Sequence, residues 1–229
     1  MCAQQVHDGH RQRLKKRFLN EGIESFNDHQ VLELMLFYSR PRSDTNETAH
    51  LLLQRFGNLS AVFNADPRDL ATTPGVGEHG AVLLSLIAPV CRRYMADVVQ
   101  PRGEPLTSPA KAIAYVKPLM LGRIEEVFYV VCLDSQARVR FPALLSKGTV
   151  NEAFVSPRQV VSIALQHHAC TVLLAHNHPS GDPTPSTADK HLTHALVHAL
   201  ESIGIQVFDH LIIAGENSFS FAEADLLHG

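Results

Sequence analysis

The sequence predicts a two-part chain: a small all-helical domain over residues 1–100, and an α/β domain over residues 109–229 with a mixed sheet flanked by helices. Three observations support this fold class. The first hundred residues space their apolar side chains at helical intervals. Three prolines and a glycine then interrupt the pattern in the segment QPRGEPLTSP. After that segment, stretches rich in β-branched and aromatic residues alternate with helical ones, as they do in α/β domains.

In the first domain, helices are predicted where apolar residues recur every three or four positions, over residues 31–39, 48–56 and 59–64. Two more helical segments flank the turn PGVG (residues 74–77), where two glycines allow the backbone to turn sharply. Residues 101–108 are predicted to be a linker, because proline and glycine there accompany little apolar content.

The second domain is predicted to begin with a hairpin of two strands, since β-branched and aromatic residues dominate both segments. A helix that starts at a Ser-Pro pair follows, and then a buried strand, a helix that ends at a glycine, and a last strand. The predicted elements of this domain cover residues 127–134, 139–148, 156–169, 170–176, 186–204 and 205–215.

Composition narrows the class of protein. Hydrophobic residues make up 45% and charged residues 19% of the 229, which is typical of a globular chain and not of a disordered or fibrous one. The net charge is −3, and residues 1–100 contain 11 basic and 11 acidic side chains. The chain therefore lacks the basic excess of an obligate nucleic-acid binder.

The cysteines and the N-terminus predict a reducing compartment. The four cysteines form no CxxC pair, and Cys91, Cys132 and Cys170 are predicted to be buried reduced thiols because they lie in apolar stretches. No segment has the roughly 18 to 20 continuous apolar residues of a membrane span, and the N-terminus is too polar for a signal peptide. We therefore expect a cytoplasmic protein without a membrane partner.

Two histidines stand two residues apart at the end of the predicted strand 170–176. Alternation along a strand puts the side chains of His176 and His178 on one face, where both imidazoles can bind one ion. Ser186 and Asp189 follow a loop with two prolines. On their own they are most simply a helix start, with Ser186 as the cap and Asp189 at the positive end of the helix dipole. A helix that begins at Ser186 also aims Asp189 back toward the loop, so the capping and metal-binding interpretations are compatible.

Two imidazoles and one carboxylate leave the fourth position of a tetrahedral zinc ion open to water, which is typical of catalytic and not of structural zinc sites. The sequence therefore predicts Zn2+ held by His176, His178 and Asp189. Zinc lowers the pKa of such a water to about 7.

The complete string HxHPx6SxxD matches the JAMM metalloprotease motif of MPN-type domains, and the chain resembles the bacterial RadC family in particular. The segments LLSKGTVNEAFVSPRQVVSIAL, LLAHNHPSGDPTPSTAD and DHLIIAG carry the resemblance, which covers nearly the whole chain. It implies a cytidine-deaminase-like sheet, and a zinc-dependent peptidase or isopeptidase with a protein or peptide substrate. Asp209 and His210 match a family feature as well, and they are candidates for residues that support the ligands.

The resemblance also implies roles for two further side chains. Its pattern of a glutamate before an apolar strand matches Glu126, which would take a proton from the zinc-bound water and pass it to the leaving amine. Ser186 would donate a hydrogen bond to the developing oxyanion. Glu125, one residue earlier, would point to the opposite face of the strand. Glu126 is favoured as the base, and Glu125 stays the alternative.

Rival functions concern nucleic acid. The PGVG turn resembles the hairpin of helix-hairpin-helix modules, whose backbone amides hold a DNA phosphate. Here Glu78, His79 and Gly80 follow the turn, where a DNA-binding version commonly offers a cation, so a protein-contact or structural role is favoured. A DNA-associated repair or recombination factor and a metal-dependent nuclease stay as alternatives. The sequence does not predict an oligomeric state or the bond that is cut.

Overall fold

A computed structural model describes residues 2–41, 43–99, 103–148 and 155–227. Residues 101 and 102 of the predicted linker, and residues 149–154 of the first segment that carries the family resemblance, lie outside the described residues. Contacts between Cα atoms divide the chain into two compact units, Met1–Cys91 and Arg92–Gly229.

Within the described residues, the first unit contains helices and no strands. The predicted helices over residues 31–39, 48–56 and 59–64 are confirmed, and further helices precede and follow them. A cluster of fully buried leucines forms the core of the unit: Leu32, Leu36, Leu52, Leu70 and Leu84. The helices are α1 (Cys2–Glu21), α2 (Asp28–Ser39), α3 (Asn46–Phe56), α4 (Leu59–Asn64), α5 (Pro67–Ala71) and α6 (Gly77–Val99), of which residues 92–99 belong to the second unit.

Backbone conformation and packing explain why Gly75, the first glycine of the PGVG turn, is a glycine. Gly75 has a positive φ of 84°, a conformation that side chains disfavour. A Cβ atom at Gly75 would also lie 2.1 Å from Oγ1 of Thr48 in α3. The neighbouring Val76 is 1% exposed, so this turn packs against the helical core of its own unit.

The second unit is a mixed five-stranded sheet between helices. The strand order is β2-β1-β3-β4-β5, with β3 and β4 parallel and every other neighbouring pair antiparallel. One face packs against α7, and the other against α8 and α9. After α6, the elements are α7 (Pro109–Met120), β1 (Val127–Leu133), β2 (Val139–Lys147), α8 (Pro157–Gln166), β3 (Thr171–Asn177), α9 (Thr187–Glu201), β4 (Gln206–Ala214) and β5 (Asn217–Ser220).

The predicted α/β pattern of this unit is confirmed, including the hairpin of β1 and β2. Strand β5 is an addition that the sequence did not predict, because its four residues, NSFS, are too short and polar to give a strand signal. A turn at Gly215 and Glu216 folds it back onto β4.

The segment predicted as a linker meets the second unit before α7 begins. Leu106 is fully buried, and its amide donates to the carbonyl oxygen of Ala137 at 2.8 Å. Ser108 caps α7, since its Oγ accepts a hydrogen bond from the amide of Lys111. The linker at 101–108 and the domain bounds drawn from it stay predictions.

The prediction of three buried thiols is wrong for two of them. Cys132 in β1 is fully buried, but Cys91 and Cys170 are exposed. Cys170 lies in the bend before β3, and Cys91 lies on a part of α6 where the neighbouring Val90 is exposed as well, so an apolar neighbourhood in the sequence did not mean burial. Among the described residues, no helix combines the length and the apolar character needed to cross a membrane.

Candidate metal centre

The register of β1 and β3 points His176 into the layer between the sheet and helices α8 and α9. Phe128 lies directly opposite His176, and their rings stack with centroids 6.0 Å apart. Phe128 and Leu174 belong to the core on this face. Because side chains alternate along a strand, His176 lies on the same face and is 1% exposed.

Ligand atoms of three residues meet at this end of β3. Nε2 of His176 lies 3.0 Å from Nε2 of His178 and 3.2 Å from Oδ1 of Asp189. Nε2 of His178 lies 3.6 Å from Oδ2 of Asp189. Within the described part of the chain, these three residues are the one group of His, Cys, Asp or Glu side chains close enough to hold a metal ion together.

The other ring nitrogen of each imidazole is already occupied. Nδ1 of His176 lies 2.8 Å from Nε2 of His210, and Nδ1 of His178 lies 2.8 Å from the carbonyl oxygen of Asp182. A carbonyl only accepts, so His178 carries its proton on Nδ1 and leaves the lone pair of Nε2 facing the centre. Asp182 thus contributes its backbone, while its side chain accepts from the amide of Thr184.

Asp189 is held by the start of α9. Ser186 is the N-cap: its Oγ accepts from the amide of Asp189 at 3.1 Å, and its own amide donates to Oδ2 of Asp189 at 2.8 Å. Burial alone would raise the pKa of the Asp189 carboxyl, but the neighbouring imidazole of His176 and hydrogen bonds from Ser186 hold that pKa well below its ordinary value. The side chain is therefore a carboxylate, ready to bind a cation.

The donor set fits a zinc ion. Zinc bonds of about 2.0–2.1 Å in a tetrahedral site separate the ligand atoms by about 3.3 Å. The two imidazole nitrogens are 3.0 Å apart, and they lie 3.2 Å from Oδ1 and 3.6 Å from Oδ2 of Asp189, so the separations bracket that value. Two imidazole nitrogens and a carboxylate converging on one point concentrate negative potential there. The geometry is that of a cation site with three protein ligands.

Glu126 lies immediately before β1. Glu126 is two residues before Phe128, and side-chain alternation continued from β1 would put it on the face that Phe128 shares with His176. Glu126 is half-buried, whereas Glu125 is exposed.

Asn177 anchors the backbone on both sides of Glu126. This residue stands between the two histidines and is 6% exposed. Its Oδ1 accepts from the amide of Val127 at 2.7 Å, and its Nδ2 donates to the carbonyl oxygen of Glu125 at 3.1 Å. The start of β1 is thereby tied to the histidine segment.

The structure brings four of the five predicted site residues, His176, His178, Ser186 and Asp189, into one cluster. Sequence reasoning missed Thr193 and Asn177, and it marked His210 only through a resemblance. The HxHPx6SxxD motif ends at Asp189 and gives no signal for Thr193, since a threonine within a helix is ordinary.

A mixed sheet that carries a His, His, Asp group at one strand end defines the class of protein: an α/β domain suited to metal-dependent hydrolysis. Comparison with known families agrees, because a model described as "RadC-like JAB domain" matches residues 106–226. The chain belongs to this family, and a JAB-like domain fits a metal-dependent hydrolase superfamily.

Relatives extend over most of the chain. It is 36% identical over 209 residues to UPF0758 protein VP0184 of Vibrio parahaemolyticus, covering 91% of this chain and 93% of the relative. It is also 36% identical over 216 residues to UPF0758 protein ACIAD3126 of Acinetobacter baylyi, covering 94% of this chain and 80% of the relative. These names state no activity.

Proposed function

We propose that this chain is a zinc-dependent metallopeptidase or isopeptidase that hydrolyses an amide bond in a protein or peptide substrate. One observation supports the proposal above the others: His176, His178 and Asp189 present three ligand atoms to a single point at the end of β3. We also propose the cytidine-deaminase-like arrangement of MPN-type domains for the sheet.

The three ligands would leave one tetrahedral position for solvent. When bound there, zinc would lower the pKa of a water molecule to about 7 and would polarise the carbonyl of the substrate. His176, His178 and Asp189 would hold the ion and would take no part in proton transfer.

Glu126 is the proposed general base. Glu126 lies two residues before Phe128, which pairs with His176, and Asn177 restrains the backbone around it. The Glu126 carboxylate would accept a proton from the attacking water and then donate that proton to the nitrogen of the leaving amine.

Ser186 is the proposed donor to the oxyanion. In this structure its hydroxyl donates to Oδ2 of Asp189 at 2.6 Å. Rotation about its Cα–Cβ bond would redirect the hydroxyl to the carbonyl oxygen of a substrate, and the exposed position of Ser186 leaves room for that substrate.

The proposal is tested by metal analysis together with an unbiased search for cleaved proteins in a lysate. The purified wild type should contain about one zinc ion per chain, as expected for a site with three protein ligands, and Asp189→Ala should contain none. Cleavage of proteins by the wild type and not by Glu126→Gln would support a peptidase. Metal-free wild-type protein would overturn the proposal, and cleavage of nucleic acid in place of protein would establish a nuclease.

For the first unit we propose a structural or protein-contact role. Gly75 is explained by its close approach to Thr48, and Glu78 would repel a phosphate at the start of α6. A helix-hairpin-helix that binds DNA is the competing proposal. Fluorescence anisotropy with branched and single-stranded DNA at low salt distinguishes them, since salt-dependent binding would favour the DNA role.

A further inference from the structure

Two fully buried side chains connect His176 to the helix that carries Asp189. Nε2 of His210 lies 2.8 Å from Nδ1 of His176, and Nδ1 of His210 lies 2.6 Å from Oγ1 of Thr193. The Thr193 hydroxyl donates to the carbonyl oxygen of Asp189 at 2.6 Å. Both Thr193 and His210 have 0% exposure.

When His210 is neutral, the donor and the acceptor of each hydrogen bond between these side chains are fixed. The single hydroxyl proton of Thr193 is used on Asp189, so Nδ1 of His210 must carry the proton that joins these two side chains. Nε2 of His210 is then an acceptor, and Nδ1 of His176 must donate to it. His210 is fully buried, and neither of its ring nitrogens meets a carboxylate.

The apolar residues around His210 disfavour a water molecule that could replace its hydrogen bond to Thr193. The ring of His210 stacks on Phe221 with centroids 4.8 Å apart, and it meets Phe128 edge-on at 5.5 Å. An apolar, fully buried cage of this kind offers a water molecule few partners. A lost hydroxyl would therefore leave His210 without its acceptor.

We propose that Thr193 and His210 are positioning residues that hold His176 in the tautomer whose Nε2 lone pair faces the metal ion. They would also couple this ligand, which lies on β3, to the first turn of α9, where Asp189 lies. The inference rests on the zinc site of the proposed function and extends it from the three ligands to the residues that set the affinity for the ion.

The test compares Thr193→Val, which keeps the shape of the side chain and removes the hydroxyl, with Thr193→Ser, which keeps the hydroxyl. Zinc affinity is measured by competition with a chromogenic chelator. Thr193→Val should bind zinc about 10- to 100-fold more weakly than the wild type, the usual loss for residues that orient a metal ligand. Thr193→Ser should stay close to the wild type, and equal affinities of the two variants would overturn the proposal.

A measurement on the zinc-loaded wild type needs no substitution. Nitrogen-15 NMR of the histidine rings should show His210 protonated at Nδ1 and not at Nε2, because its Nε2 accepts from Nδ1 of His176. The opposite tautomer of His210 would overturn the proposal even if Thr193→Val does not fold. A wild type that binds no zinc would contradict the proposed function itself, whereas zinc binding together with a His210 ring protonated at Nε2 would contradict only the positioning role of Thr193 and His210.

Discussion

The two halves of the metal centre differ in what holds their side chains. On the buried half, His176 is 1% exposed and is linked by side chains to His210 and Thr193. On the open half, His178 is half-buried and its ring is held by a backbone carbonyl, that of Asp182. Glu126 and the exposed Ser186 also belong to the open half.

From this difference we infer separate tasks for the two halves. The buried half is inaccessible to substrate, so its interactions would set the geometry and the affinity for a bound ion. The open half borders solvent, so a substrate and the proposed base can meet there. Substitutions in the open half should therefore change catalysis without changing metal content, and the following predictions test that separation.

The largest effect is expected at Glu126. Glu126→Gln should reduce hydrolysis about 100- to 10,000-fold, because an amide cannot accept the proton of the attacking water. Zinc content should stay at the wild-type level. Glu125→Gln is the matched control and should keep its activity, since that side chain is exposed. A larger loss for Glu125→Gln than for Glu126→Gln would reverse the assignment of the base.

Zinc should stabilise the fold through the buried half. At a zinc concentration 100 times the dissociation constant, the free energy of unfolding should rise by about 2.7 kcal/mol, because the ion binds the folded state only. Thermal unfolding with and without zinc measures this. Asp189→Ala should lose the effect, and Asp225→Asn, at an exposed carboxylate, should keep it. An equal zinc response in Asp189→Ala would place the ion elsewhere.

A smaller effect is expected at Asn177, a buried residue whose hydrogen bonds hold the backbone around Glu126 of the open half. Asn177→Ala removes the bonds of 2.7 and 3.1 Å that flank Glu126. We expect hydrolysis to fall about 10- to 100-fold through misplacement of the base, and the free energy of unfolding to fall by about 1–3 kcal/mol because a buried amide loses its acceptor. Zinc titration should be unchanged. Loss of zinc binding would mean that Asn177 orders the histidines and not Glu126.

The smallest effect is expected at Asp182. Asp182→Asn keeps the backbone carbonyl that accepts from His178, and its side-chain oxygen can still accept from Thr184. Zinc affinity should therefore match that of the wild type in the same chelator competition. A marked loss would show that the Asp182 carboxylate itself contacts the ion.

Much of the second unit could be predicted from short-range patterns. The hairpin of β1 and β2, strand β3 and helix α9 follow from hydrophobic periodicity and from the capping residue Ser186. Strand β5 was missed because its four residues form a strand through pairing with β4 and not through a pattern of their own. The exposed positions of Cys91 and Cys170 were missed because apolar neighbours in a sequence do not specify which face a side chain occupies.

The three proposed metal ligands could be predicted from the sequence because they lie within fourteen positions, between 176 and 189, where strand alternation and a helix cap determine where the side chains point. The contacts that support these ligands could not be predicted in this way. His176 meets His210 across 34 positions only because β3 and β4 are parallel neighbours, and Thr193 reaches His210 only because α9 packs on that face. Such long-range contacts depend on strand register and helix packing, which are properties of the folded domain as a whole.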